Sequence, residues 1–425
     1  MTRAAAQTGA DPGTVKSCLV LSAPAVPVPR SGIPARRLGD ALTVGVFLAA
    51  LAVPLGGFLF RTPARPVGEN RPLTPPPALV PERWAVQTFP VMFEAYFNDR
   101  VGFRDRMLAA RRAATFDALG DSPAELVWVG RDGWLFINNV GPGTGLPVFQ
   151  QPVEPNLDAW AAVLADRHAY LADRGVAYVV FVARDKSLVY PEYLPGKHRR
   201  HPPADPVPLL RDRLRGTGAA LVDALPALAA AKATADSPLY YRKDSHWNDS
   251  GAFAGYRALA DELELRVPGY RGKTTAAFRP EPCVYPGCDL AKVVGLPADR
   301  ITEEFLFYAE PAAGLTELPA GELATGLEAA GGWLKHLDPR RTECPAAAGP
   351  PTVLLHDSFG VDLGRFLASD FRRFAAAPTY GLPLPVLAAE RPRVVVQLLV
   401  DRMFRIVTPT NPPEVNGYRR RHPSG

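Results

Sequence analysis

Two short motifs carry the chemistry of this chain. Asp244-Ser245-His246-Trp247 places a carboxylate and an imidazole two positions apart, and His356-Asp357-Ser358-Phe359-Gly360 supplies a hydroxyl. A serine hydroxyl is a poor nucleophile near neutral pH until an imidazole removes its proton. That imidazole works best when a carboxylate fixes its tautomer and steadies the charge it gains. Ser358 is therefore the candidate nucleophile, His246 its general base and later general acid, and Asp244 the orienting carboxylate. Residues 352–355 (TVLL) read as an apolar strand and residues 361–367 as a helix, so Ser358 falls at a strand-to-helix turn. Backbone amides at such a turn, those of Ser358 and Phe359, could face an oxyanion.

Each residue also has a plainer reading. Ser358 could simply cap a helix, His246 could be a core histidine bonded to Asp244, and Asp244 could be a turn carboxylate. Trp247 is expected to pack beneath its loop, with sugar stacking as the alternative. A metal site built from Asp244, His246, His356 and Asp357 is the sharpest chemical rival, but it leaves the serine unexplained. No C-x-x-C pair or His-rich cluster points to structural zinc, and the motifs call for neither metal nor cofactor.

The motifs resemble those of the alginate O-acetyltransferases of the AlgX and AlgJ type. That family carries an SGNH-hydrolase-like domain in which D-x-H-W precedes a D-S-F/Y serine motif, an order permuted from ordinary SGNH esterases. Three further stretches are similar: Phe89-Pro90 through Phe93, Tyr96, Phe97, Asp99, Arg100, Gly102, Phe103, Arg104 and Asp105; Gly130-Arg131-Asp132-Gly133-Trp134-Leu135-Phe136; and Gly287-Cys288-Asp289-Leu290-Ala291-Lys292. The resemblance runs from Phe89 to Arg402, with the spacing of the shorter AlgJ-like members and no room for a C-terminal carbohydrate-binding domain. It implies a three-layer α/β/α sandwich with a mostly parallel central sheet, acting as an acetyltransferase on hydroxyls of an exported polysaccharide. It also implies a partner, a multispanning membrane-bound O-acyltransferase that brings acetyl across the membrane. Softer substrate contacts follow from the same likeness. Lys186 could hold the carboxylate of an acidic sugar and Tyr190 could lie under a ring, and a structural role fits either equally well. Tyr380 and Arg373 follow the serine at distances where substrate contacts are expected. Arg402, after Asp401, resembles a family E-R pair and reads as a structural salt bridge or a further contact.

Composition sets the frame for these residues. At 425 residues and 47% hydrophobic content, the chain can bury a large core, and a net charge of +5 is modest for its size. No arginine-lysine stripe interleaves with aromatics, which argues against a nucleic-acid partner. Residues 41–60 contain no charge; as a helix they would span about 30 Å, the hydrocarbon thickness of a bilayer. Pro54 is tolerable in such a helix. A buried core helix and a cleaved signal peptide are the rivals, but the run exceeds the usual h-region of about 7–15 residues. Arg30, Arg36 and Arg37 before it balance Arg61, Arg65 and Arg71 after it, so charge gives no orientation. The family resemblance places the tail inside and the catalytic domain outside: a single-pass inner-membrane protein facing the periplasm or exterior. Cys18 would then be interior, and a Cys283–Cys288 disulfide is open beside free thiols, with Cys344 farther along.

Five segments follow: a disordered tail (1–40), a transmembrane helix (41–60), a proline-rich linker (61–85), the catalytic domain (86–410) and a basic tail (411–425). Within the domain, residues 176–183, 219–223, 352–355 and 394–400 read as strands, the first buried on both faces. Leu157, Trp160, Leu164 and Leu171 mark one helix. Phe253, Tyr256, Ala260 and Leu263 mark another, capped by Asp249 or Ser250. In open parallel sheets ligands sit beyond the strand C-termini, which places both motifs and Arg184-Asp185-Lys186 on one edge. The expected function is a membrane-anchored polysaccharide O-acetyltransferase. A carbohydrate acetylesterase with the same triad and a non-catalytic glycan-binding scaffold are the alternatives.

Overall fold

The computed structural model of the chain describes residues 33–60, 74–77, 83–103 and 106–422, the last span apart from 108–109, 112–113, 119, 123, 139–152, 201–203, 311–313 and 332–333. Most of the expected tail and linker, Cys18, Arg104 and Asp105 lie outside the described residues. The chain divides into two units. Residues 1–65 and 72–104 form the first, and 66–71 with 105–425 form the second.

The first unit is built on two helices, Ile33–Leu59 and Arg83–Arg100. Leu38–Leu59 is long and apolar enough to cross a membrane, with a mean hydropathy of 2.2, and its side chains Leu42, Val46, Phe47 and Leu51 are exposed. Phe58 packs its ring against Tyr96 and Phe97 of the second helix, at 6.0 and 4.9 Å. Close approach of Gly57 and Gly102 allows this: a Cβ added to Gly102 would lie 2.2 Å from the Gly57 Cα. The sequence division put residues 86–104 in the catalytic domain; here they group with the apolar helix.

In the second unit, the strands are β1 (Val127–Val129), β2 (Leu135–Ile137), β3 (Ala177–Ala183), β4 (Ala220–Asp223), β5 (Arg279–Tyr285), β6 (Glu303–Ala309), β7 (Thr316–Leu318), β8 (Arg340–Glu343), β9 (Thr352–His356), β10 (Arg373–Pro378) and β11 (Val394–Val400). Seven form one sheet in the order β4-β3-β11-β9-β10-β8-β7. From β4 to β10 the strands are parallel; β8 and β7 are antiparallel at one edge. The β1–β2 and β5–β6 pairs are separate antiparallel ribbons.

The central strands are apolar on both faces because both faces are covered. Val179, Phe181, Leu354, Val396 and Leu398 face one cluster, packed under the Asp249–Arg266 and Gly360–Leu367 helices. Tyr178, Val180, Val182, Val353, Leu355 and Leu399 face the other, which includes Leu157, Trp160 and Leu164 of the Glu154–Ala172 helix. All four strands expected from sequence are present. The helix cap is displaced by one residue: Asn248 accepts from the Gly251 amide at 3.2 Å. Asp249 is instead the first helical residue, and its carboxylate takes the Tyr308 amide at 2.8 Å and pairs with Arg365.

Residues 411–418 dock against the domain, while Arg419–His422 are exposed, as a solvated basic end would be. Val415 is fully buried. Asn411 accepts from Arg167 Nε at 2.7 Å, and Asp166 takes the amides of Gly417 and Arg419 at 2.6 and 3.0 Å. The segment is held by the burial of Val415 and by hydrogen bonds to the buried Arg167 and Asp166, while the Arg419–Arg421 side chains stay solvated. Deleting residues 411–425 should therefore leave Arg167 Nε without its Asn411 acceptor and cost about 1–3 kcal/mol. Denaturant unfolding of the truncated domain measures it; a solvated tail would leave the midpoint unchanged.

Candidate functional site

Ser358 follows β9 at the turn into the Gly360–Leu367 helix. The turn is fixed by Asp357, whose carboxylate accepts from the Phe359 amide at 3.0 Å and from the Val400 amide of β11 at 2.7 Å. One side chain thus ties the turn to the neighbouring strand. His356 points into the interior, with Nδ1 2.7 Å from the Asp357 carbonyl. Burial pushes this imidazole down to about 4, so it is neutral. Position 360 must be glycine, since a Cβ there would lie 2.3 Å from the His356 Cβ. The Ser358 amide donates to no acceptor among the described residues, and it remains the backbone candidate for an oxyanion. The Phe359 amide does not: the Asp357 carboxylate already occupies it, which corrects the pairing expected from sequence.

His246 reaches Ser358 from a loop 112 positions earlier, with Nε2 2.7 Å from Oγ. Its Nδ1 lies 2.7 Å from Asp244 Oδ1, and the His246 amide donates to that same oxygen at 3.0 Å. Asp244 is buried, whereas the His246 side chain keeps 23% of its surface, enough for a ligand to approach the ring edge. Burial alone would raise Asp244, but the hydrogen bond and charge of His246 and two amides bring it down to about 2. Burial alone would lower His246; the Asp244 hydrogen bond and charge, with Asp289, raise it above the usual histidine value.

The loop that carries these groups has no strand ladder; the Leu135 and Ala291 amides donate to its Arg242 and Lys243 carbonyls at 2.8 and 3.0 Å, and side chains hold much of the remainder. Lys186 is buried, and its Nζ donates to the carbonyls of Tyr241 (3.0 Å), Arg242 (3.0 Å) and Asp244 (2.6 Å). Glu303 accepts from the amides of Arg242 at 2.7 Å and Lys243 at 2.5 Å. Asp289 accepts from the Ser245 amide at 2.7 Å and hydroxyl at 2.5 Å, and its own amide donates to Asp244 Oδ2 at 2.7 Å.

Several residues expected to touch substrate are placed elsewhere. Lys186 spends its three donors on carbonyls and has no free face for a carboxylate. Tyr190 is buried, with its hydroxyl accepting from the Leu239 amide at 2.8 Å and its ring 4.6 Å from that of Trp134. Trp247 is fully buried and meets Phe359 edge-on at 5.1 Å, so it supports the loop and cannot stack on a sugar. Arg402 is buried and donates to Asp185 at 2.8 Å, the structural salt bridge of the two readings. Arg373 pairs with the buried Glu390 at 3.0 Å. Tyr380 lines a separate cleft of about 760 Å³ with Leu382, Pro383, Val407 and Asn411.

The four-residue metal set does not assemble, because His356 turns inward. Asp244, His246 and Asp289 could each offer a ligand atom within 4.8 Å of the others. A cation there would displace the hydrogen bond that orients the imidazole. No disulfide joins Cys283, which is exposed, to Cys288, which is buried against Glu303. Asp289 and Glu303 were not assigned roles from sequence. Asp289 had a signal in its G-C-D-L-A motif; Glu303 had none.

Comparison with known proteins follows from this arrangement. Residues 127–304 match the SGNH hydrolase-like domain of acetyltransferase AlgX. The match covers β1 to the start of β6 and includes Asp244 and His246, while Ser358 lies beyond it. The architecture is accordingly an SGNH-like α/β fold with a mostly parallel central sheet. Among solved structures, the O-acetyltransferase domain of Pseudomonas putida AlgJ is 19% identical, covering 70% of this chain and 99% of that one at a TM-score of 0.45. Bacillus cereus PatB1 is 15% identical, covering 64% of this chain and 95% of that one, with a TM-score of 0.47. Pseudomonas aeruginosa AlgX is 15% identical over 65% of this chain and 61% of its own, with a TM-score of 0.38. No curated protein matches the sequence.

The Asp244–His246 pair gives a signed pH dependence. Stability from Asp244 is present above its unfolded value of 3.8 and is lost as pH falls through about 2. Stability from His246 is full below 6.5 and is lost as pH rises through its raised folded value. Unfolding free energy should therefore decline as pH rises from 6.5 to that raised value and level off above it. Denaturant titrations across this range should show His246→Gln flattening that limb; an identical slope in the variant would contradict the pairing.

Proposed function

We propose that this chain is an O-acetyltransferase that acetylates hydroxyls of an exported polysaccharide through an acetyl-serine intermediate. The observation that carries the reading is the unbroken line from Asp244 Oδ1 through the His246 ring to Ser358 Oγ, 2.7 Å at each end. Ser358 Oγ attacks the acetyl carbonyl of the donor while His246 Nε2 takes its proton. The tetrahedral adduct collapses, the donor's leaving oxygen receives that proton, and acetyl remains on Ser358. A sugar hydroxyl then gives its proton to Nε2, its oxygen bonds to the acetyl carbon, and Ser358 departs and is reprotonated. Asp244 holds the tautomer and balances the imidazolium in both halves. The Ser358 amide supplies one oxyanion donor.

Transfer requires that the acceptor hydroxyl outcompete water. Effective molarities for well-oriented groups reach about 10⁵ M or more, so a positioned sugar suffices. The match to an acetyltransferase domain supports this class over a simple esterase. Residues 41–60 would anchor the domain to the inner membrane with the second unit facing the periplasm or exterior. A membrane-bound O-acyltransferase would bring the acetyl group, since a single apolar helix offers no path for it.

Hydrolysis of a chromogenic acetyl ester, with and without a polysaccharide acceptor, tests the assignment. Ser358→Ala and His246→Ala should each lower acetyl release by about 10³-fold or more, and acceptor should divert acetyl from water to sugar. Release that ignores acceptor would make the chain an acetylesterase. Undiminished release in Ser358→Ala would remove the serine mechanism.

A further inference from the structure

Asp289 stands beside the loop that carries Asp244 and His246. It is the first residue of the Asp289–Val294 helix. Oδ1 takes the Ser245 amide and Oδ2 the Ser245 hydroxyl, at 2.7 and 2.5 Å. The backbone amide of the same residue donates to Asp244 Oδ2 at 2.7 Å, and Asp289 Oδ2 lies 3.7 Å from His246 Nδ1. Asp244 is thus gripped at both oxygens, one by the histidine it orients and the other by Asp289. The intervening Ser245 is held from below by the Asp289 side chain. We propose that Asp289 is a positioning residue for the acyl-transfer reaction: it fixes Asp244 and Ser245 so that the imidazole faces Ser358, and it sets a second carboxylate beside Nδ1.

This inference rests on the proposed catalytic reading, and its charge component has a distinct signature. The groups facing His246 are Asp244 and Asp289 on its Nδ1 side, Asp357 beneath Ser358, Asp362 on the Gly360–Leu367 helix and Arg402 after β11. The four carboxylates favour the protonated ring and Arg402 opposes it. Asp289→Asn keeps a side chain able to accept from the Ser245 amide and to donate to its hydroxyl, but deletes the charge. Asp289→Ala deletes both. Ser245→Ala removes one hydroxyl and keeps the charge.

Two readouts are needed: the histidine titration followed by NMR, and the pH dependence of single-turnover acylation of Ser358 by p-nitrophenyl acetate. In Asp289→Asn the His246 titration and the acid limb should both move to lower pH, by about half a unit or more. The limb moves down because a less basic imidazole stays neutral, and therefore competent as a base, at lower pH. Asp289→Ala should show the same shift and lose about tenfold or more of the plateau rate, with Asp289→Glu restoring part of it. Ser245→Ala should lower the plateau without moving the limb. A merely structural Asp289 would lower rates at every pH and leave the limb in place, which would overturn the proposal. If the unaltered chain never acylates, the proposed function fails with it. If it acylates and Asp289→Asn titrates unchanged, only this inference fails.

Discussion

A loop without a ladder still has to satisfy its backbone once it is buried, and that constraint shapes the whole site. Within residues 241–246 the Leu135 and Ala291 amides donate to the Arg242 and Lys243 carbonyls, and charged side chains answer the rest of the bonded groups. Lys186 takes the carbonyls of Tyr241, Arg242 and Asp244, Glu303 the amides of Arg242 and Lys243, and Asp289 that of Ser245. Asp244 itself completes the set by taking the His246 amide. Each group left unpaired would cost about 1–3 kcal/mol, so the loop would not hold this path without them. A lysine at the hub has its own cost, since burial brings it down to about 8. It is nonetheless largely charged at neutral pH, where the cation matches three carbonyl dipoles.

The same logic separates the charges that build the edge of the sheet from those free to act. Arg184, at the end of β3, is buried and paired with Asp205 and Asp223 at 2.5 and 2.6 Å, while Asp185 engages Arg402. Asp401 accepts the Asp185 amide at 3.2 Å. These ion pairs close the strand ends of β3, β4 and β11 around β9. They use up the guanidinium groups that a sequence reading would offer to an acidic sugar. His246 is the group left with an exposed edge beside a nucleophile. The Asp244–His246–Ser358 geometry is therefore a consequence of what the surrounding charges are already committed to.

Much of this was legible in the sequence, for reasons particular to each element. Strands β3, β9 and β11 are apolar on both faces, a pattern with few other meanings at that length. Asp244, His246 and Ser358 stood out as a candidate acid, base and nucleophile by their types and order, and the structure brings them within hydrogen-bonding distance. Substrate contacts were harder to read, because a side chain near a motif has two plausible partners. Lys186 and Tyr190 fitted a substrate contact or a structural role equally well, and both found backbone partners within the protein. For Arg402 and Trp247 the structural reading was favoured, and both are buried. The docking of the segment before Arg419–Arg421 was not legible, because its buried anchor Val415 carries no periodicity. Glu303 was invisible because its role is to receive amides from a loop 60 positions away, and nothing local encodes that.

The account stands on a covalent bond to one oxygen. Mass spectrometry of the protein after brief exposure to an activated acetyl ester, followed by peptide mapping, should place a single acetyl group on Ser358. Correctly folded protein with Ser358 unmodified, or with acetyl confined to surface lysines, would contradict it.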